Sequence, residues 1–160
     1  MSNPRDLFLR ELGTLLWAER MLAFEVLPKL RDAVSDDELR GAVQEHLLET
    51  RGHVDRVEQA FETVGSHPSS IYSPTVSALV AEHDELAEKV VEARLRDVWH
   101  AHAAARTEHL ELAMYESVLA LAEALDAGEL RSGLEENREQ EQQALAKVEH
   151  IAARLRQELS

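Results

Sequence analysis

Apolar residues recur at intervals of three and four along almost the whole chain, and no stretch alternates as a half-buried strand would. Punctuation divides this pattern into helices. Ser2 or Asn3 can cap a first helix that carries Pro4 in its opening turn and extends to about Ala33. Pro28, which lacks an amide hydrogen, is expected to kink that helix near Leu27. The stretch "SDDE", Ser35 to Glu38, reads as a capping box with Ser35 as the cap; the second helix then runs to about Val64, where Gly65 stops it. After the loop "GSHPSSIYSP", Ser73 and Pro74 begin a shorter helix, "TVSALVAEHDELAEKVV". A third long helix spans about Arg94 to Leu125, "DAGE" breaks it, and a fourth spans about Glu129 to Leu159. Short links make two antiparallel hairpins of these four, and the long link between the hairpins allows a crossover. The expectation is an all-α four-helix bundle forming one domain over residues 1–160.

At about 100° per residue, the inward face of each long helix holds acidic groups among the apolar ones. In the first helix Glu19 falls at the centre of the stripe Phe8, Leu12, Leu16, Ala23, Val26 and Leu30. In the fourth, Glu141 sits amid Leu130, Leu134, Leu145, Val148, Ala152, Leu155 and Leu159. The third places Glu108, with Glu111 on the edge one turn further, among Ala101, Ala104, Ala105, Leu112, Tyr115 and Leu119. In the second, His46 and His53 share the face of Leu39, Val43, Thr50, Val57, Phe61 and Val64, and Glu49 flanks them. An ionised carboxylate in an apolar core is too costly unless it is neutralised, paired or bound to a cation. Basic partners are few, since Arg106 and Arg138 lie only near the edges of their stripes. Divalent cations would resolve the conflict, and oxygen donors with one or two imidazoles suit iron or manganese better than a soft metal. The interval from Glu19 to Glu49 nearly equals that from Glu108 to Glu141, which puts the acids of each hairpin at comparable heights.

Composition narrows the partners. The 160 residues carry 17 Lys and Arg against 31 Asp and Glu, a formal net charge of -14, which repels phosphate backbones and argues against nucleic acid. There is no cysteine, so disulfides, thiolate metal sites and iron–sulfur clusters are excluded. No apolar run is long enough to span a bilayer and no leader pattern follows "MSNPRDLF", so the expectation is a cytoplasmic protein with no membrane partner. Each candidate also has a plainer reading. A single inward glutamate can be a rim residue or a dimer contact, and His46 and His53 can be satisfied core or edge histidines. Tyr115 can serve as packing or as a hydrogen-bond donor to a carboxylate. Gly52, which costs about 1 kcal/mol against alanine inside a helix, suggests a close helix approach beside the site. His67, His83, His100, His102, His109 and His150 do not converge on these faces and read as surface or packing residues.

The segments "LFLRELGTLLWAERML", "EHLLETRGHVDRVEQAF" and "EHLELAMYESVLALAEAL" resemble the DUF892 family, the YciE/YciF-type bacterial stress proteins, from about Asp6 to about Ala153. The resemblance implies a ferritin-like antiparallel four-helix bundle with a short extra helix in the crossover, related to rubrerythrin and the ferritins. It further implies that Glu19 is a terminal ligand of a di-iron (or manganese) site and Glu49 a bridging one. Glu108 or Glu111, or both, would serve the second metal, and Glu141 would be the other bridge. His53 follows Glu49 by four positions where the family's relatives use three, on the same helix face. After Glu141 the ligand-bearing positions hold Ala144 and Leu145, so the second metal would be held by carboxylates and water alone. A rubredoxin-type electron-delivery segment is excluded, since there is no cysteine to build one.

Three functions compete at this point. The first is a carboxylate-bridged dinuclear centre that oxidises Fe(II) with dioxygen or peroxide in stress protection. Glu19, Glu49, Glu108 and Glu141 would offset the metal charge, His53 would fix one iron, and Tyr115 would steady a ligand or relay an electron. The second is a bundle that has lost catalysis and acts as a structural or stress-interaction protein, favoured by the missing histidine of the fourth helix. The third, a hemerythrin-like oxygen binder, needs more inward histidines than the chain offers. A homodimer through an exposed apolar helix flank is the expected assembly.

Overall fold

Asn3 begins the helical chain: its side chain accepts the Asp6 amide at 2.8 Å and Pro4 opens α1, Pro4–Met21. The computed structural model describes residues 3–125 and 127–159; Ser2, the alternative cap, and Asp126, in the "DAGE" break, lie outside them. The expected break before Pro28 takes the form of a π-helical turn, Leu22–Val26, after which α2 runs Leu27–Ala33 with Pro28 in its first turn. A proline there removes a donor and crowds the carbonyl four residues back, and a widened turn accommodates both. The cap of α3, Asp37–Thr63, is Asp36 rather than Ser35. Asp36 accepts the Leu39 amide at 2.9 Å, while the Ser35 amide is taken by the buried carboxylate of Asp97 at 3.0 Å. Both residues are capable caps; Asp97 accepts the backbone amides of both, and it is the Asp36 side chain that turns back onto the helix.

Gly65, at φ 67°, turns the chain out of α3 in the left-handed region that favours glycine. The loop then crosses α1, where Ile71 donates its amide to the Gly13 carbonyl at 2.9 Å. A Cβ at Gly13 would stand 2.6 Å from the Ser69 carbonyl oxygen, so this crossing requires glycine. Ser73 caps α4, Pro74–Lys89; α5 is Ala93–Ala124 and α6 is Gly128–Gln157.

Side-chain anchors define the topology. Asp97, near the start of α5, accepts the amides of Ser35 and Asp36 just before α3, so α3 and α5 start at the same end and run parallel. Arg154, near the end of α6, pairs with Asp36 at 2.7 Å and reaches that end too, antiparallel to both. The crossover helix α4 lies along α5. Trp99 Nε1 donates to the His83 carbonyl at 3.0 Å, His83 Nε2 and His100 Nδ1 are 2.7 Å apart, and Lys29 reaches Asp84 at 2.7 Å. This is the up-down-down-up order of ferritin-like bundles. Among the described residues there is no strand, and no helix is long and apolar enough to cross a membrane.

The apolar interior is in two parts. One gathers Phe8, Leu12, Leu16, Val57, Phe61, Val118 and Leu134; the other gathers Leu22, Leu30, Leu39, Leu47, Val98, Val148 and Ile151. Along every long helix the inward acids and histidines fall between these two clusters. Leu159, placed by periodicity on the inner stripe, is instead 44% exposed beyond the end of α6.

Candidate metal centre

Glu19 from α1, His46 and His53 from α3, Glu108, Glu111 and Tyr115 from α5, and Glu141 from α6 are all buried in this middle layer. They form two donor groups in which one ligand atom from each residue lies within 4.8 Å of all the others: His46, Glu108, Glu111 and Glu141, and Glu19, His53 and Glu141. Glu141 belongs to both. His53 Nδ1 is 2.8 Å from Glu141 Oε1 and 3.4 Å from Glu19 Oε2; His46 Nε2 is 3.2 Å from Glu108 Oε1 and 3.5 Å from Glu141 Oε2. Two donors bound at about 2.1 Å to one ion and at right angles are about 3.0 Å apart, so the spacing fits cation ligands. The hydrogen bonding fits them as well. Glu19 Oε2, His53 Nδ1, Glu108 Oε2 and both oxygens of Glu111 and Glu141 are buried without a hydrogen-bond partner, a condition native proteins tolerate only where something else satisfies the group.

Glu49 does not join either group. It is half-buried at the edge of the layer, its Oε2 3.5 Å from His46 Nδ1. His46 and His53 are seven positions apart and share one face, whereas Glu49 is rotated to the side of both. Glu49 thus stands apart from both groups, while His46, one of the two candidate imidazoles, lies with Glu108, Glu111 and Glu141. Nor does Gly52 mark a close helix approach, since the nearest atoms a Cβ there would meet belong to the Arg56 guanidinium on the same helix, at 3.4 Å.

Electrostatics sorts the carboxyls. Burial works against a charge on His46, but Glu108 and Glu141 overcome it and hold its pKa well above the ordinary imidazole value. Burial would raise Glu108, yet His46 keeps it below the usual carboxylate value. Glu111 and Glu141 move the other way: burial first, then the neighbouring carboxylates, push both well up. Two of the four carboxyls thus resist ionisation unless another positive charge neutralises them. Burial and Glu19 push the Tyr115 hydroxyl up too, and that hydroxyl donates to Glu19 Oε1.

Three further residues that periodicity did not single out surround the layer. Asn137 is fully buried and donates to the Tyr115 oxygen at 2.9 Å; Gln140 Oε1 is 2.9 Å from His53 Nε2; Arg56 touches both amides. Asn137 could have been found, because it lies one turn before Glu141 within the Leu134–Leu145 stripe. A cavity of about 110 Å³ reaches His46 and Glu108 from the α3–α6 side. Leu30, Leu39, Val43, Ala104 and Val148 line it, and the exposed Glu45–Lys147 ion pair borders it.

Comparisons with known proteins agree with this architecture. Protein YciF of Escherichia coli K12 is 29% identical over 153 residues, 95% of this chain and 92% of the relative. The crystal structure of the E. coli stress protein YciF superposes with a TM-score of 0.91, covering 97% of this chain and 98% of that one at 29% identity. YcfI of Rhodopseudomonas palustris, proposed to be a structural protein, gives a TM-score of 0.90 at 28% identity over 92% of this chain and 94% of that one. A Xanthomonas campestris protein, at 19% identity and a TM-score of 0.72 over 99% and 100% of the two chains, shares the fold. The model of DUF892, a domain of unknown function, matches residues 3–159, which take in every helix and every buried acid of the middle layer; the chain belongs to the DUF892 family.

Proposed function

We propose that this chain is a ferritin-like metal-binding stress protein whose middle layer holds two divalent cations, iron or manganese, for Fe(II) oxidation by dioxygen or peroxide. The observation that carries the reading is Glu141, fully buried and shared between two donor groups, with Oε1 2.8 Å from His53 Nδ1 and Oε2 3.5 Å from His46 Nε2. Glu19, His53 and Glu141 would hold one ion, and His46, Glu108, Glu111 and Glu141 the other. When bound, iron supplies the reversible one-electron change and an open position for a small oxidant. The chain supplies the rest. Four carboxylates offset the cation charge, and the two apolar clusters bury the layer on either side, leaving the cavity as the approach to it. Tyr115 holds a proton at Glu19 Oε1, where it steadies that carboxylate. The 110 Å³ cavity, smaller than the roughly 150 Å³ that admits benzene, suits an oxidant of a few atoms. Metal analysis after purification without chelator, then anaerobic Fe(II) titration, tests this; about two ions per chain are expected for a site of this type. Less than one ion per chain, with no new absorption on exposure to oxygen or peroxide, would end the proposal.

A second reading, a bundle with a structural role and no bound cation, draws support from the description of YcfI as a proposed structural protein. It requires that iron or manganese leave the melting temperature of the wild type unchanged.

A further inference from the structure

Arg56 on α3 has only donors to offer. Its Nε lies 2.5 Å from Asn137 Oδ1 and its Nη2 lies 2.7 Å from Gln140 Oε1, so both amides must turn their oxygens towards it. The consequence at Gln140 is the state of His53. The same Oε1 is 2.9 Å from His53 Nε2, and an amide oxygen cannot donate; the hydrogen therefore resides on Nε2. In the neutral ring the lone pair is then on Nδ1, the atom that faces Glu19 Oε2 and Glu141 Oε1. The consequence at Asn137 is the direction of a second chain. With its oxygen committed to Arg56, Asn137 offers Nδ2 to the Tyr115 oxygen at 2.9 Å and to the His53 carbonyl at 3.3 Å. Tyr115, having accepted, sends its own proton to Glu19 Oε1, which leaves Oε2 free on the side of His53. Glycines at 52 and 133 flank the arginine: a Cβ at either would meet the Arg56 side chain first, at 3.4 and 3.6 Å.

We propose that Arg56 is the positioning residue of the Glu19–His53–Glu141 half of the centre: it fixes the polarity of two hydrogen-bond chains so that one lone pair of His53 and one of Glu19 point at the same place. The proposal rests on reading the middle layer as a cation site. Arg56 touches no ligand atom of that layer and acts only through Gln140 and Asn137.

The test uses histidine-labelled full-length protein, with 15N NMR of the metal-stripped form at alkaline pH and Co(II) titration alongside. In the wild type, His53 Nε2 carries the hydrogen. Arg56→Met keeps the apolar stem but removes the donors, so Gln140 can turn its NH2 to His53 and the hydrogen moves to Nδ1. Co(II) binding at this half then weakens roughly 10- to 100-fold, the usual effect of losing a partner behind a ligand. Adding Gln140→Glu restores both readouts, because a carboxylate accepts whichever way it turns; a merely structural arginine predicts no such rescue. Should Arg56→Met fail to fold, Gln140→Met removes the acceptor directly and shifts the hydrogen to Nδ1, next to Glu141. Retention of the Nε2 hydrogen in Arg56→Met or Gln140→Met, or no rescue by Gln140→Glu, overturns the proposal. If the tautomer switches as described but the wild type binds no Co(II), the cation reading fails while the positioning of His53 stands.

Discussion

Glu111 offers a direct measure of what the acidic layer costs the fold. It is fully buried, neither carboxyl oxygen has a hydrogen-bond partner, and burial with the neighbouring carboxylates pushes its pKa well up. Glu111→Met replaces it with an apolar side chain of similar length. A buried polar group left unsatisfied costs about 1–3 kcal/mol, and for a chain of this size each kcal/mol moves the melting temperature by about 2–4 °C. In chelator-treated protein the variant should therefore melt about 2–12 °C above the wild type. The gap should widen with pH. The unfolded carboxyl loses its proton above about 4.5 while the folded one keeps it, so the wild type is stabilised below that value and loses the advantage as pH rises. Cations reverse the order. With Mn(II) at about a hundred times its dissociation constant the wild type gains about 2.7 kcal/mol, whereas the variant, one donor short, gains less. Thermal melts with and without Mn(II) provide the assay. A metal-stripped variant that melts at or below the wild type would refute the reasoning, since Glu111 would then be contributing to the fold.

Gly13→Ala should destabilise by about 1–3 kcal/mol, because its Cβ would meet the Ser69 carbonyl oxygen at 2.6 Å and the Ile71 side chain at 2.9 Å; urea midpoints measure this. Gly52→Ala should stabilise by up to about 1 kcal/mol through helix propensity alone, its nearest new contact being the Arg56 guanidinium at 3.4 Å, an ordinary van der Waals distance. Burial pushes His100 down to about 4, against 6.5 for a free imidazole, so the unfolded chain binds the extra proton between those values and stability falls as pH drops through that window. His100 alone should account for a loss of about 2 kcal/mol by pH 5; denaturant titrations at pH 7 and pH 5 should show that loss disappear in His100→Leu.

Periodicity located the inward acids because a helix of 3.6 residues per turn leaves little freedom: Glu19 and Glu141 sit mid-stripe and can point only inward. It ordered the helices for the same reason, and the length of the 65–73 loop plus α4 implied the crossover. What it missed depended on contacts between distant segments. The carboxylate that anchors the start of α3, Asp97, comes from another helix, and the need for glycine at 13 arises from a loop more than fifty positions away. Glu49 flanks the inward face of α3, as its angle on the helix requires. His46 and His53 fix the inward direction of α3, and Glu49 stands to one side of both. Arg56 was invisible as a partner because it lies off the apolar stripe, and its targets Asn137 and Gln140 are on another helix.

The division of the interior into two greasy halves with an ionisable waist has a consequence for breathing motions. Each half packs on its own side chains, so neither must loosen when the other opens, and amide hydrogen exchange should report two separate protection domains when the waist is held only by protons. Two ions sharing Glu141, each gripped from three of the rods and together from all four, would act as a rivet through the middle. Exchange at the far ends of the rods would then slow together, and two independently fluctuating halves would become one.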